Sequence, residues 1–222
     1  MIECSGADAA AQIVKNIYLK EIQVYGMEQV QILSPYKVRS AAGVLELNRS
    51  LQDDVNPPVS GKQELHLGGE IFREGDRILQ NKNTEVASNG DLGTLVQISE
   101  DEDNNPIVQI VFTDGRRVKY EAEQVEMMEH ANAITIHKSQ GSECQVVIIP
   151  WLKAFYPMLK RNIFIQGLPG RSCAFILLGN GKPFVRQFIQ MIQVPERRCW
   201  RTKIQQYCRT VYRDKENRRI PD

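Results

Sequence analysis

No two cysteines in this chain are spaced as C-x-x-C, and their total is odd: Cys4, Cys144, Cys173, Cys199 and Cys208. Both absences argue against a disulfide framework and against a structural zinc site. The opening residues, MIECSGADAA, lack the basic leader and apolar core of a signal peptide. No apolar run approaches the roughly 20 residues that a membrane-spanning helix needs. The expectation is therefore a protein of the reducing cytoplasm with no membrane partner. Charge of one sign is also lacking, since 28 Lys and Arg face 27 Asp and Glu for a net +1. Bulk electrostatics neither supports nor excludes a nucleic-acid partner, so any basic surface must be local.

What is there is ordinary for a globular protein: 222 residues, 42% hydrophobic and 25% charged, enough for one or two domains with a sizeable core. Ala10, Ile13, Ile17, Tyr18 and Ile22 recur at helical spacing and predict a helix over 7–25. VQILSP, 30–35, reads as a short buried strand, and AAGVLELNRSLQ, 41–52, as a helix with Val44, Leu45 and Leu51 on one side. DDVNPPVSGKQ continues neither period and predicts a boundary. From 70 to 128 short alternating segments are separated by Asn-Gly and Asp-Gly, which tolerate positive φ and predict hairpins. Four or five strands in about sixty residues suggest a small barrel. The EDED run at its middle reads as a solvated loop. After 131 the texture is α/β again: CQVVIIP and CAFILLG are unalternating apolar strands of the kind buried in a parallel sheet, with LKAFYPMLKRNIF between them as a helix interrupted by Pro157. The barrel is thus expected as an insertion between two parts of one α/β domain.

The densest polar stretch is AITIHKSQGSE, 133–143, at the mouth of the apolar VVIIP. A lone histidine such as His66 or His130 is read as a surface or internally satisfied residue, and His137 alone would be read either way. The combination differs. Thr135 can donate to a phosphate, His137 can do so or stack on a base, and Lys138 brings a point charge. Gly141 lets backbone approach a ligand, and Glu143 can accept from a ribose hydroxyl. Such a set at a strand end suits a polyanion and a nucleotide.

These residues resemble motif V of superfamily-1 DNA helicases, in the RecD-like branch. Further stretches resemble the same family: VQILSPYKVRSAAGVLELNRSLQDDVNPP its entry into the second motor domain, FREGDRILQNKN, NGDLGTLVQI and VFTDGRRVKY its SH3-like insertion, and MLKRNIF the helix before motif VI. The similarity spans roughly 10–164, with 173–180 added. It implies a RecA-like parallel-sheet motor domain, of the UvrD-like helicase C-terminal kind, interrupted by an SH3-like β-barrel. It implies single-stranded DNA contacts from Thr135, His137, Lys138, Ser139 and Ser34, and an ATP-facing set of Gln140, Gly141 and Glu143. The family pattern has aromatic residues where Asn132 and Cys144 stand, which bears on local packing rather than on contacts. The divisions implied are 1–65 for the first part of the motor domain, 66–128 for the insertion, 129–180 for the second part with motif V, and 181–222 for an altered tail.

A motor also needs a G-x-x-x-x-G-K-[ST] loop to cradle phosphates and an acidic motif for Mg2+. The sequence has no such loop, and GNGKP at 179–183 has the wrong spacing. The first motor domain is missing from these residues, so ATP and Mg2+, cofactors of the intact family, are not expected to bind tightly here, and no catalytic residue is assigned. Motif VI is also altered. The family has a peptide like YTGLTRAK after NIF, whereas this chain has IQGLPGRS at 165–172. One choice of codons for the first, read one base later, encodes the second. GKPFVRQFIQMIQVPERRCWRTK likewise admits codons whose shifted frame reads KAIRKTIHTNDTSTRTQMLEDK, similar to the family's closing helix. Our hypothesis is that 165–172 and 181–222 are out-of-frame products, which codons incompatible with the shifted reading would exclude. Arg171 is then no arginine finger, and the basic tail (Arg197, Arg198, Arg201, Arg209, Arg213, Arg218, Arg219) is incidental charge.

The leading expectation is a RecD-like helicase fragment that binds single-stranded DNA and forms one wall of an ATP cleft, with a first motor domain supplied in trans. Two alternatives are a non-catalytic docking module built on the SH3-like barrel and a remnant without a selected role. An exposed groove lined with aromatics would favour the module, although Phe72, Phe112 and Tyr120 are read as core residues.

Overall fold

The structure is a computed structural model that describes residues 6–38, 40–139, 144–151 and 174–179; at Ala122, Trp151 and 174–179 it is described by the backbone alone. Helix α1, Ala7–Tyr25, buries Ala10, Ile17 and Tyr18 of the expected face together with Val14, leaves Ile13 and Ile22 half-buried, and stops at Gly26, whose φ of 84° a residue with a side chain rarely adopts. Strand β1, Val30–Ser34, is buried at all five positions. Helix α2, Val44–Val55, starts and ends three residues later than its spacing predicts, because the chain turns at 41–43 before Gly43 caps the helix. It buries Val44, Leu47, Asn48 and Leu51.

The middle of the chain is antiparallel. Strands β2, Glu64–Leu67, and β3, Glu70–Arg73, pair through a two-residue turn, Gly68-Gly69, with φ of 58° and 82°. Positive φ at both turn positions is the type I′ requirement. There follow β4 (Arg77–Gln80), β5 (Leu92–Glu100), β6 (Pro106–Phe112), β7 (Arg117–Tyr120), the short helix α3 (Ala122–Val125) and β8 (Met128–His130). Their ladders give one five-stranded sheet in the order β7-β6-β5-β4-β8. The expected small barrel is built from this five-stranded sheet and the separate hairpin; among the described residues no ladder joins its edge strands β7 and β8, which α3 connects. Phe72, Ile78, Leu95, Ile110, Phe112 and Tyr120 form its core. At Gly93 the partner strand comes so close that an added Cβ would lie 2.8 Å from Ile110 Cγ2 and 2.9 Å from the Val111 carbonyl oxygen. Asn89-Gly90 is no tight hairpin turn. It lies in the loop 81–91, folded back on β4 by bonds from the Gly90 N–H to Gln80 O and from the Gln80 N–H to Asp91 O. The EDED run spans the end of β5 and the exposed turn that follows.

The chain then returns to the first layer with β9, Ala133–Thr135, a 3₁₀ turn at Ile136–Ser139, β10, Val146–Trp151, and β11, Ala174–Gly179. The sheet order is β11-β10-β1-β9, all parallel, as the unalternating apolar runs predict. Helices α1 and α2 pack on it, so that Val14, Ile17 and Tyr18 of one and Leu47 and Leu51 of the other meet Ile32, Val146 and Ile148.

Buried polar groups fasten the two layers together. The Asn48 side-chain amide donates to the carbonyls of His130 (3.0 Å) and Ala133 (2.9 Å), and its oxygen accepts from the Ala133 N–H (2.7 Å). Arg77, in β4, donates to Met27 O and Val30 O at 2.9 and 2.8 Å. The Tyr18 hydroxyl donates to Asn132 Oδ1 at 3.0 Å. That bond explains a polar residue at 132, where the family pattern has an aromatic ring. Burial pushes the Tyr18 phenol above its ordinary pKa despite the nearby Arg77 guanidinium, so it remains a donor.

Candidate functional site

In the parallel sheet Ser34 and Thr135 are register partners at the carboxyl ends of neighbouring strands. Open α/β sheets take ligands at that edge. Beyond Thr135 the 3₁₀ turn alternates in exposure. Ile136 goes into the core with Leu33 and Val147, His137 is exposed, Lys138 is half-buried and Ser139 is buried. Thr135 is half-buried. Thr135, His137 and Lys138 therefore gather at the sheet edge with side chains open to solvent in whole or part.

Two of the expected strand-contacting residues are not presented there. Ser34 is fully buried, and its hydroxyl donates to Ala42 O at 2.8 Å while accepting from the Tyr36 N–H at 3.4 Å. The sequence shows a polar residue at a strand exit, but not the turn behind it that consumes its hydrogen bonds. Ser139 is also fully buried, with its hydroxyl donating to Ile136 O at 2.8 Å, so it closes the turn from within. Gln140, Gly141 and Glu143, the expected ATP-facing set, lie outside the described residues, as do the 165–172 segment and the 181–222 tail.

A residue that sequence reasoning missed joins the edge. Lys37 lies three positions beyond Ser34, as Lys138 lies three beyond Thr135. The Lys37 ammonium donates to Glu129 Oε1 at 2.9 Å, and Lys138 lies 3.5 Å from Glu129 Oε2 while donating to Asn81 Oδ1 at 2.5 Å. Glu129 comes from β8 and Asn81 from the loop after β4, so the insertion reaches the turn. The only signal for Lys37 was the strand register, which pairs residues a hundred positions apart.

Behind this edge is a second, closed cluster. The Asp76 carboxylate accepts from the Arg73 N–H (2.8 Å), Gln52 Nε2 (2.7 Å) and Asn56 Nδ2 (2.7 Å). Beside it the His130 ring stacks on Phe72, with centroids 4.2 Å apart and planes 9° from parallel, and Nε2 lies 3.1 Å from Ile71 O. A carbonyl only accepts, so Nε2 carries the proton. Burial holds the His130 pKa below its ordinary value, against the opposing pull of Asp76 and Glu70. His130 is the satisfied internal residue its isolation suggests. An open cavity of about 430 Å³ nearby has an apolar floor including Val44, Phe72 and Met128, and carries Glu70, Glu126 and Glu129. None of the expected strand-contacting residues lines it, and its carboxylates oppose a phosphate. Among the described residues no three His, Cys, Asp or Glu side chains gather as a metal-binding group. No described helix is long and apolar enough to cross a membrane.

Among solved structures, the chain is similar to a Pif1 helicase from Bacteroides in complex with ADP-AlF3 and ssDNA, with 14% identity, a TM-score of 0.47, and coverage of 86% of this chain and 56% of that one. It is also similar to a Pif1 helicase from Candida albicans, with 12% identity, a TM-score of 0.42, and coverage of 81% and 56%. Among curated proteins it is 27% identical over 168 residues to an ATP-dependent RecD2 DNA helicase of Deinococcus radiodurans, which covers 75% of this chain. The chain spans 22% of the length of that relative. The model of the ATP-dependent RecD-like DNA helicase SH3 domain matches residues 47–112, and that of the UvrD-like helicase C-terminal domain matches residues 130–164. These two matches and that relative support a C-terminal fragment of a RecD-like superfamily-1 helicase, with an SH3 domain of the RecD-like kind over 47–112 and a UvrD-like helicase C-terminal domain over 130–164.

Proposed function

We propose that this chain supplies one wall of a RecD-like ATP-dependent DNA helicase, the wall along which a single DNA strand runs. The observation that carries this reading is the exposed His137, flanked by the partly open Thr135 and Lys138, at the carboxyl edge of an all-parallel sheet. Thr135 and Lys138 hold the phosphodiester backbone, and His137 donates to a phosphate or stacks on a base. Gln140, Gly141 and Glu143, which follow directly in the chain, face ATP on the other side. The phosphate cradle and the Mg2+ ligands come from a first motor domain on another stretch of polypeptide, because these 222 residues contain no P-loop. The chain divides into a motor part over 1–65, the insertion over 66–128, a second motor part over 129–180, and the tail; the flanking strands β2 and β8 extend the insertion slightly at both ends.

The docking-module reading needs exposed aromatics on the insertion, whereas Phe72, Phe112 and Tyr120 are at most 2% exposed. Fluorescence anisotropy of a labelled oligo-dT, at several salt concentrations, tests the proposal. Binding that weakens steeply with salt and weakens further in His137→Ala is the expected result. Affinity that ignores His137 but vanishes on altering the outer face of the insertion would hand the function to the module.

A further inference from the structure

The Glu129 carboxylate holds two ammonium groups at once, one on each oxygen: Lys37 at 2.9 Å and Lys138 at 3.5 Å. The two lysines come from loops leaving neighbouring parallel strands at the same distance past a registered pair, Ser34 and Thr135. None of the three side chains is sealed away, since Lys37 is 47% exposed, Lys138 23% and Glu129 20%. A two-oxygen anion held between two cations at a ligand edge occupies the place that a phosphate's oxygens would take. The setting sharpens the point. Residues 1–150 carry 13 Lys and Arg against 23 Asp and Glu, so within this stretch any cation that holds a strand acts locally.

We propose that Lys37 and Lys138 form a phosphodiester-binding pair, occupied in the free protein by the Glu129 carboxylate as a displaceable internal anion. Asn81, bonded to Lys138, is a positioning residue that keeps its ammonium at the edge once the carboxylate moves off. The inference rests on the strand-binding reading above and adds to it a site residue, Lys37, and a built-in competitor. Holding the lysines on Glu129 in the free state lowers strand affinity and blunts its salt dependence, because fewer counterions are released on binding. The insertion thereby sets how tightly the motor edge grips, through one residue of β8.

Glu129→Gln removes the charge and keeps the shape. In the full chain, oligo-dT should bind about two- to fivefold tighter to Glu129→Gln than to wild type at low salt, the size expected for releasing exposed ion pairs. The slope of log affinity against log salt should steepen by about 0.7 for each additional phosphate neutralised. Lys37→Ala should cost more affinity in the Glu129→Gln background than in wild type. A thermal melt of each variant establishes folding. Unchanged affinity and slope in folded Glu129→Gln, with binding still dependent on His137, would overturn the inference and leave the strand-binding reading intact. A second measurement needs no DNA: the lysine ammonium NMR resonances are followed as inorganic phosphate is added. Shifts at Lys37 and Lys138 that are larger in Glu129→Gln than in wild type are expected. Shifts with phosphate but no oligonucleotide binding in either protein would overturn the assignment to a strand, and loss of His137 dependence would overturn the reading beneath it.

Discussion

Neighbouring residues of one short strand belong to two opposite kinds of polar cluster. His130 faces inward, where Asp76 accepts three hydrogen bonds and every partner is spent on another protein group. Glu129 faces the sheet edge, where one carboxylate is shared by two partly exposed lysines. By composition both clusters look functional, each mixing acids, amides and bases. The difference lies in what remains to be given. A saturated buried cluster braces the joint between the two layers, while an edge cluster whose cations are held by a replaceable anion can exchange it for a ligand.

That comparison breaks most visibly at Asp76. Asp76→Ala leaves the Arg73 N–H without its acceptor and takes one of two acceptors from each of the Gln52 and Asn56 amides, and should cost about 3–5 kcal/mol in urea unfolding. A loss below about 1 kcal/mol would mean that the inner cluster is not the brace. Within the insertion, Gly93→Ala forces a methyl against Ile110 and the Val111 carbonyl and should cost about 1–3 kcal/mol by the same measurement. At the edge the pattern should invert. His137→Ala should leave stability within about 0.5 kcal/mol, yet weaken oligo-dT binding about five- to tenfold, the loss of one weak stacking or phosphate contact. The subtlest effect is on pH. The folded state holds the His130 pKa below the unfolded value of 6.5, so the unfolded chain takes up protons first as pH falls. Stability should be whole above about 6.5 and decline below it, down to the depressed folded value. His130→Gln should flatten that decline in melts across the range.

Much of this arrangement was legible in the sequence, for physical reasons. Buried parallel strands announce themselves by unbroken apolar runs, and α1 by its repeating face, so both layers and the order of their parts could be read. Local chemistry misled where satisfaction came from elsewhere. Ser34 and Ser139 carry hydroxyls at suggestive positions, but backbone carbonyls of a following turn and of the same turn consume them. Asn89-Gly90 has hairpin composition, yet the flanking strands pair only past an eleven-residue loop. The Gly68-Gly69 turn does not stand out in the sequence, because it follows the proline-rich stretch 53–63 that reads as a boundary. Lys37 could not be found at all, since its role follows from a register between distant strands and from a glutamate of the insertion. The small barrel was legible as strands and turns, but not the order of their pairing, because alternation predicts strands and their faces, not which edges meet.

Photo-crosslinking of an oligo-dT to the protein, with the attached peptides mapped by mass spectrometry, is the most direct test of where a strand lies. The account predicts that the crosslinks fall on the peptide containing Thr135, His137 and Lys138, with a lesser share near Lys37. Crosslinks concentrated on the β5–β6 hairpin, with none at that edge, would contradict it.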